Sequence, residues 1–187
     1  MKKYMIVFVL LFGSLIYIEL QKKDSHFVTP LLLFNTAMSS IMNEEYVKLE
    51  KSLKNVKYKK NMETKEGFTL LMMASLKGDT NAIEILLKNG EDINYQTKKR
   101  KETALMLSSA TNVISTVYLL KQKNINFNLE NVDNNNFLHF STINKNTDLF
   151  NKLKEKEKYK HLLKKKNIKG LTPLQLQLNN LEKNLIK

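Results

Sequence analysis

Apolar and polar positions along the chain fall into one arrangement that restarts several times. In residues 67–94, Leu71 and Ala74 lie three apart, Gly78 follows, and Ile83, Leu86 and Leu87 recur at the spacing of one helix face. This predicts two short helices joined by a tight reversal at Gly78, the second ended by Gly90, both where a left-handed backbone is wanted. Thr69 stands where the first helix begins and can cap it. Leu71, Ala74, Ile83, Leu86 and Leu87 are the candidate core.

The arrangement restarts at Thr103, 34 residues after Thr69. Leu105, Ser108 and Ser109 belong to its first helix, and Val117, Leu119 and Leu120 to its second. This unit has no counterpart of Gly78 or Gly90, and Asn112 and Asn124 are expected to take the left-handed positions. Asn136, 33 residues on, opens a third unit with Leu138 and His139, followed by Leu149, Phe150 and Leu153. Gly170, Thr172, Pro173 and Leu174 open a fourth, with Pro173 suited to a first helical turn. Upstream, Thr29 and Pro30 look like a degenerate opening. Phe34, Ala37, Met38 and Ile41 predict one helix face, and Val47, Leu49, Leu53 and Val56 another over residues 45–56. Residues 154–166 overrun the expected loop; Leu162 and Leu163 predict a helix with one apolar anchor and a solvated Lys/Glu face.

Residues 67–94 read G-x-T-x-L-x-x-A, then G-D, then I-x-x-L-L-x-x-G-x-D-I-N. This resembles an ankyrin repeat across nearly a whole unit, and Gly170–Leu174 keeps G-x-T-P-L. The resemblance implies an all-α fold, an ankyrin-type helix-turn-helix solenoid with short hairpin loops, here preceded by an N-terminal hydrophobic helix. The expected organisation is a signal peptide or membrane anchor at 1–21 and a degenerate capping helical pair at 22–62. Ankyrin-like repeats then fill 63–187, in units of about 63–97, 98–130, 131–166 and a partial 167–187. Terminal units are expected to be atypical because one face meets water. By the same resemblance His139 falls on the family's T-P-L-H position, with a structural hydrogen-bonding role.

The first twenty residues stand apart. Lys2 and Lys3 precede residues 4–18, which carry no charge, and Glu19 ends the run. This is the layout of a secretory signal or signal anchor of a bacterial protein. No Ala occurs before Ala37, so an A-x-A cleavage site is absent, which favours retention. As a helix, residues 4–20 would span about 25 Å, and flanking lysines could snorkel to cover the shortfall. The expected location is periplasmic, secreted or inner-membrane anchored, with the body outside the cytoplasm and membrane contact through residues 4–20.

Composition narrows the function. The 187 residues carry 31 Lys+Arg against 18 Asp+Glu, a net charge of +13. Arg100 is the sole arginine, and there are 22 Asn, so much of the charge reads as biased composition. Nucleic-acid readers favour Arg for bidentate contacts, so nucleic acid is not the expected partner. Without Cys there is no disulfide framework, zinc finger or thiol nucleophile; three scattered His promise no metal centre; and no phosphate-cradling glycine motif occurs. No carboxylates are spaced for acid–base work. The expected protein is no enzyme and needs no cofactor or metal.

Stacked helical units with projecting hairpins make a concave surface suited to another protein. The candidate partner-binding residues are Glu66, Phe68, Leu76 and Lys77 in one unit and Lys99, Arg100, Glu102 and Thr111 in the next. The partner is unknown and expected to be acidic where it meets Lys98, Lys99, Arg100 and Lys101 at a hairpin tip. The alternatives are an immunity or inhibitor protein against an extracytoplasmic toxin or lipase, and an accessory protein for a periplasmic oxidative-stress enzyme.

Overall fold

The computed structural model describes residues 28–143 and 147–185. They are helical, without a strand among them. The helices are α1 (Pro30–Met42), α2 (Tyr46–Leu53), α3 (Leu70–Lys77), α4 (Thr80–Lys88), α5 (Ala104–Thr111), α6 (Val113–Leu120), α7 (Phe137–Ile143), α8 (Thr147–Lys154) and α9 (Pro173–Leu185), with a 3₁₀ helix at Glu157–Lys164. The expected hydrophobic helix over the first residues lies outside the described residues. No described helix is long and apolar enough to cross a membrane.

The same local chemistry starts four of the five first helices, while in α7 Asn136 Oδ1 accepts from the Leu138 and His139 amides at 3.0 and 3.2 Å. Thr29, Thr69 and Thr103 hydroxyls accept from the backbone amides of Leu32, Met72 and Met106 at 3.1–3.2 Å. Thr172 does so for Gln175, whose side-chain oxygen accepts from the Thr172 amide at 2.9 Å in a reciprocal capping box. Before each of the last four first helices, the chain closes a hairpin with one backbone bond. These run from Thr64 N to Phe68 O, Thr97 N to Glu102 O, Asn131 N to Asn135 O and Asn167 N to Leu171 O. The second hairpin holds one more residue than the others. Its left-handed position is filled by Lys101 at φ 55°, where the neighbouring hairpins use Gly67, Asn134 and Gly170.

Gly78 and Gly90 are left-handed, at φ 86° and 87°. Asn112 and Asn124 are not. Asn112 is extended, at φ −138°, because it ends α5 and caps α6 at once, its side chain accepting from the Ser115 amide at 3.0 Å. A residue that must start a helix cannot also make the left-handed reversal, so the turn is tightened to a single residue. In the first pair it is Glu44 (φ 59°) that takes the place of Gly78.

The core runs unbroken through the stack from Phe34 in α1 to Leu162 in the 3₁₀ helix. Ile83 and Leu86 are fully buried, but Leu87 is only partly buried against this core. In α6 the buried positions are Ser115, Thr116 and Leu119, and Val117 is 39% exposed. The structural register therefore sets Thr116 against Ile83 one unit earlier. Thr116 tolerates this because its hydroxyl bonds to Asn112 O at 2.8 Å and Ser108 Oγ at 3.1 Å. In α2, Leu49 and Leu53 are buried while Val47 and Val56 point to solvent. The helix ends at Leu53, before Val56 could join that face.

Residues 154–166 are better anchored than their lysines suggest. Tyr159 and Leu162, three apart, share one face of a helix with three residues per turn, and both are buried. The Tyr159 ring stands edge-on between Phe127 and Phe137, with centroids 5.2 and 5.3 Å away. Leu163 is partly buried, and the exposed His161 meets Asn128 at 2.6 Å.

His139 is fully buried. Its Nδ1 lies 3.2 Å from the Asn136 backbone amide and its Nε2 lies 3.2 Å from the Leu171 carbonyl of the next hairpin. Its Nδ1 also lies 2.9 Å from Asn136 Oδ1, so a neutral ring finds an acceptor in either tautomer: Leu171 O for a proton on Nε2, Asn136 Oδ1 for one on Nδ1. Burial pushes its pKa below the ordinary value, so the unfolded chain takes up a proton before the folded one does. Stability is therefore present above about pH 6.5 and is lost as pH falls below it, by at most about 1.4 kcal/mol per pH unit. Urea unfolding at pH 7.5 and pH 5.5 should show this loss in the parent and a smaller one in His139→Gln. Glu91 and Glu102, whose carboxyls burial pushes up, act with the opposite sign and are common to both proteins.

Candidate protein-binding groove

Side chains from α1, the first hairpin and α3 enclose an open groove of about 500 Å³. Met38 and Met42 of α1, Met73 and Leu76 of α3, and Phe68 of the hairpin make it apolar; Thr64, Glu66 and Lys77 stand among them. Met73 and Leu76 share a face because they lie three apart, and Met38 and Met42 because they lie four apart. Their burial is partial, apart from Met42, which is 52% exposed. Unbranched methionines let such a surface adapt to more than one shape of side chain.

The groove's charges are unevenly committed. Lys77 Nζ donates to the Ile41 carbonyl at 2.8 Å and to the Met42 carbonyl at 3.3 Å, and pairs with Glu44 at 3.0 Å. It satisfies the carbonyl end of α1, where a cation is favoured, and offers the groove chiefly its aliphatic stem. Glu66 is exposed, and hydrogen bonds from its own backbone amide, then from Thr64, hold its carboxyl below the usual range. The groove thus has an apolar lining and one acidic lip.

Of the eight residues expected to meet a partner, Glu66, Phe68, Leu76 and Lys77 come together in this groove. Phe68 packs partly against the core as well as lining the groove. The other four do not gather there. Lys99 and Arg100 are exposed at the next hairpin tip. Glu102, at the position matching Phe68, is buried to 7% exposure, its carboxylate 2.8 Å from the Arg100 guanidinium. It serves its own hairpin, since a carboxylate this deep needs its partner. Thr111 is exposed and its hydroxyl bonds back to Leu107 O at 3.0 Å. Lys65, Lys98, Lys99 and Lys101 make no ion pair among the described residues.

Sequence reasoning missed Met42 and Met73 and placed Met38 only on a helix face with Phe34, Ala37 and Ile41. The signal was available: set Glu44 and Glu45 against Gly78 and Asp79, and Met42 falls opposite Leu76. Among the described residues, no three of His, Asp and Glu gather into a set that could hold a metal ion.

The hairpins are tied to one another by a ladder of side-chain and backbone bonds. Asn94 Oδ1 accepts from Asn126 N at 2.7 Å, Gln96 Nε2 donates to Glu130 O at 2.8 Å, and Val132 N donates to Arg100 O at 3.1 Å. Paired helices, projecting hairpins and this ladder are the features of one repeat architecture. The family model described as ankyrin repeats (3 copies) matches residues 15–131 and again residues 71–165. The human protein M-phase phosphoprotein 8 is 28% identical over 101 residues, which cover 53% of this chain and 12% of that protein. The chain thus spans far less than two thirds of that relative. With the family model covering most of its length, the chain belongs to the ankyrin-repeat family.

Proposed function

We propose that the α1–α3 groove is the surface through which this protein–protein interaction module holds its partner, and that the groove takes an apolar side chain. Ankyrin repeats make the chain an interaction module; the apolar groove carries the finer reading. Aromatic and other large apolar residues in a water-excluding pocket dominate interface energies. The basic tip at Lys98, Lys99 and Lys101 speeds encounter with an acidic partner, and its effect fades with salt. That tip is the observation favouring an inhibitor of an acidic extracytoplasmic protein. The charge-free run at residues 4–18 supports a bacterial protein exported or tethered at the inner membrane, with the repeats outside the cytoplasm.

The test is a pull-down from a periplasmic extract, followed by affinities for the protein recovered. Met42→Asp is the sharpest variant, because Met42 is half-exposed and its loss should leave the fold intact. It should weaken binding by roughly tenfold or more, as should Phe68→Ala. Lys99→Glu should weaken binding at low salt only. Arg100→Glu is unsuitable, since it would set a second carboxylate against Glu102. If Met42→Asp and Phe68→Ala bind as the parent does, the groove is not the working surface. If a fusion of residues 1–30 to a reporter active only outside the cytoplasm stays silent, export is wrong.

A further inference from the structure

The lip of the groove runs against the charge of the rest of the molecule. The chain carries +13, yet the lip is acidic. Glu66 is exposed, and its carboxylate is held in place by its own backbone amide and by the Thr64 side chain. Lys65 beside it acts through space, but Glu66 makes no ion pair among the described residues. Lys77 is the other charged residue of the lining, and its Nζ is already committed to the Ile41 and Met42 carbonyls and to Glu44. A ligand lying in the groove therefore meets one unneutralised charge, a carboxylate.

The same position has the opposite sign one unit further on. The residue just before the left-handed position of each hairpin is Glu66, Arg100, Asp133 and Lys169 in turn, ahead of Gly67, Lys101, Asn134 and Gly170. No two of these four charges pair with each other. Neighbouring hairpins are joined, so the row is fixed. Lys98 N donates to Glu63 Oε1 at 2.8 Å, Val132 N to Arg100 O at 3.1 Å and Ile168 N to Asp133 O at 3.0 Å. Helices packed side by side lie about 8–10 Å apart, so the sign changes over roughly that distance. A partner that crosses from the groove to the basic tip meets a carboxylate first and cations next.

Building on the groove reading above, we propose that the occupant is a peptide segment with a Lys or Arg beside its apolar anchor. The cation faces Glu66, and acidic residues of the same partner lie towards Arg100. An apolar side chain alone fits an apolar lining in either direction. Opposite charges at two places fix the direction and reject the reversed ligand. A strongly cationic chain attracts acidic ligands over its whole surface. A preference for a cation at one place is therefore the signature of Glu66 and not of composition.

Methionine methyl groups report on the groove, because Met38, Met42 and Met73 line it. The full-length chain, isotope-labelled at these methyls and held in neutral phosphatidylcholine nanodiscs, is titrated with two capped peptides. They are identical except that Lys follows a central Phe in one and Glu in the other. The Lys peptide should shift the three methyl signals and bind at least about threefold more tightly at low salt, the effect of one exposed ion pair. Added salt should shrink the difference. Glu66→Gln keeps the side-chain length and should erase the preference. Phe68→Ala should weaken both peptides alike. Equal affinities in the parent, or a preference that persists in Glu66→Gln, overturn the assignment of the cation and leave the groove standing. If neither peptide moves the three methyl signals, the groove reading falls and the cation with it.

Discussion

Gly78→Ala should lower the stability of the stack by about 1.5–4 kcal/mol, through two costs at one position. The residue is held at φ 86°, where a Cβ is strained, and a Cβ built there would run into the Asn112 side-chain amide of the next unit. Asn112 cannot yield freely, because its other side-chain atom caps α6. Gly170→Ala is the control. It sits at φ 73° with nothing within 4 Å of the added Cβ, so it should show only the backbone cost of about 1–2 kcal/mol. Urea unfolding of both variants measures the difference. Equal losses would mean that the Gly78–Asn112 approach contributes nothing.

Leu86→Ala should cost about 2–5 kcal/mol, and Leu87→Ala less than half as much. Leu86 has no exposed surface, while Leu87 retains some and can partly relax. Because each unit leans on its neighbours, the damage from Leu86→Ala should reach α5 and α6 and appear there as faster amide exchange. Equal costs at the two positions would place the buried face of α4 one residue away from where the structure has it.

Those two leucines also show how far the sequence could be read. The caps at Thr69, Thr103 and Thr172 and the reversal at Gly78 are short-range chemistry, so they stand in the sequence as plain residue types. Which residues of a second helix face inward is harder. Ile83, Leu86 and Leu87 are all apolar, and periodicity admits each of them. In α6, Val117 outranks Thr116 by hydrophobicity, yet Thr116 is buried because Ser108 and Asn112 satisfy its hydroxyl. Such a bond spans two helices and leaves no local signature. Tyr159 was hidden for a similar reason: within a lysine run it reads as solvated, and only Phe127 and Phe137 make a place for it. The groove was half legible. Phe68, Leu76, Glu66 and Lys77 lie in one unit and follow from the repeat pattern. Met38 and Met42 come from a degenerate pair whose alignment rests on Glu44, a non-glycine in a left-handed turn. Glu102 was misplaced because the extra residue in its hairpin turns it inward toward Arg100.

The most direct test of the binding groove is site-specific photocrosslinking in cells, with a photoreactive amino acid placed at Met73 or, separately, at Ile114. Met73 lines the groove, whereas Ile114 is 66% exposed on α6, away from it. The groove reading predicts one discrete crosslinked partner from Met73, lost when Met42→Asp is added, and none from Ile114. A partner captured from Ile114 and not from Met73 would contradict it.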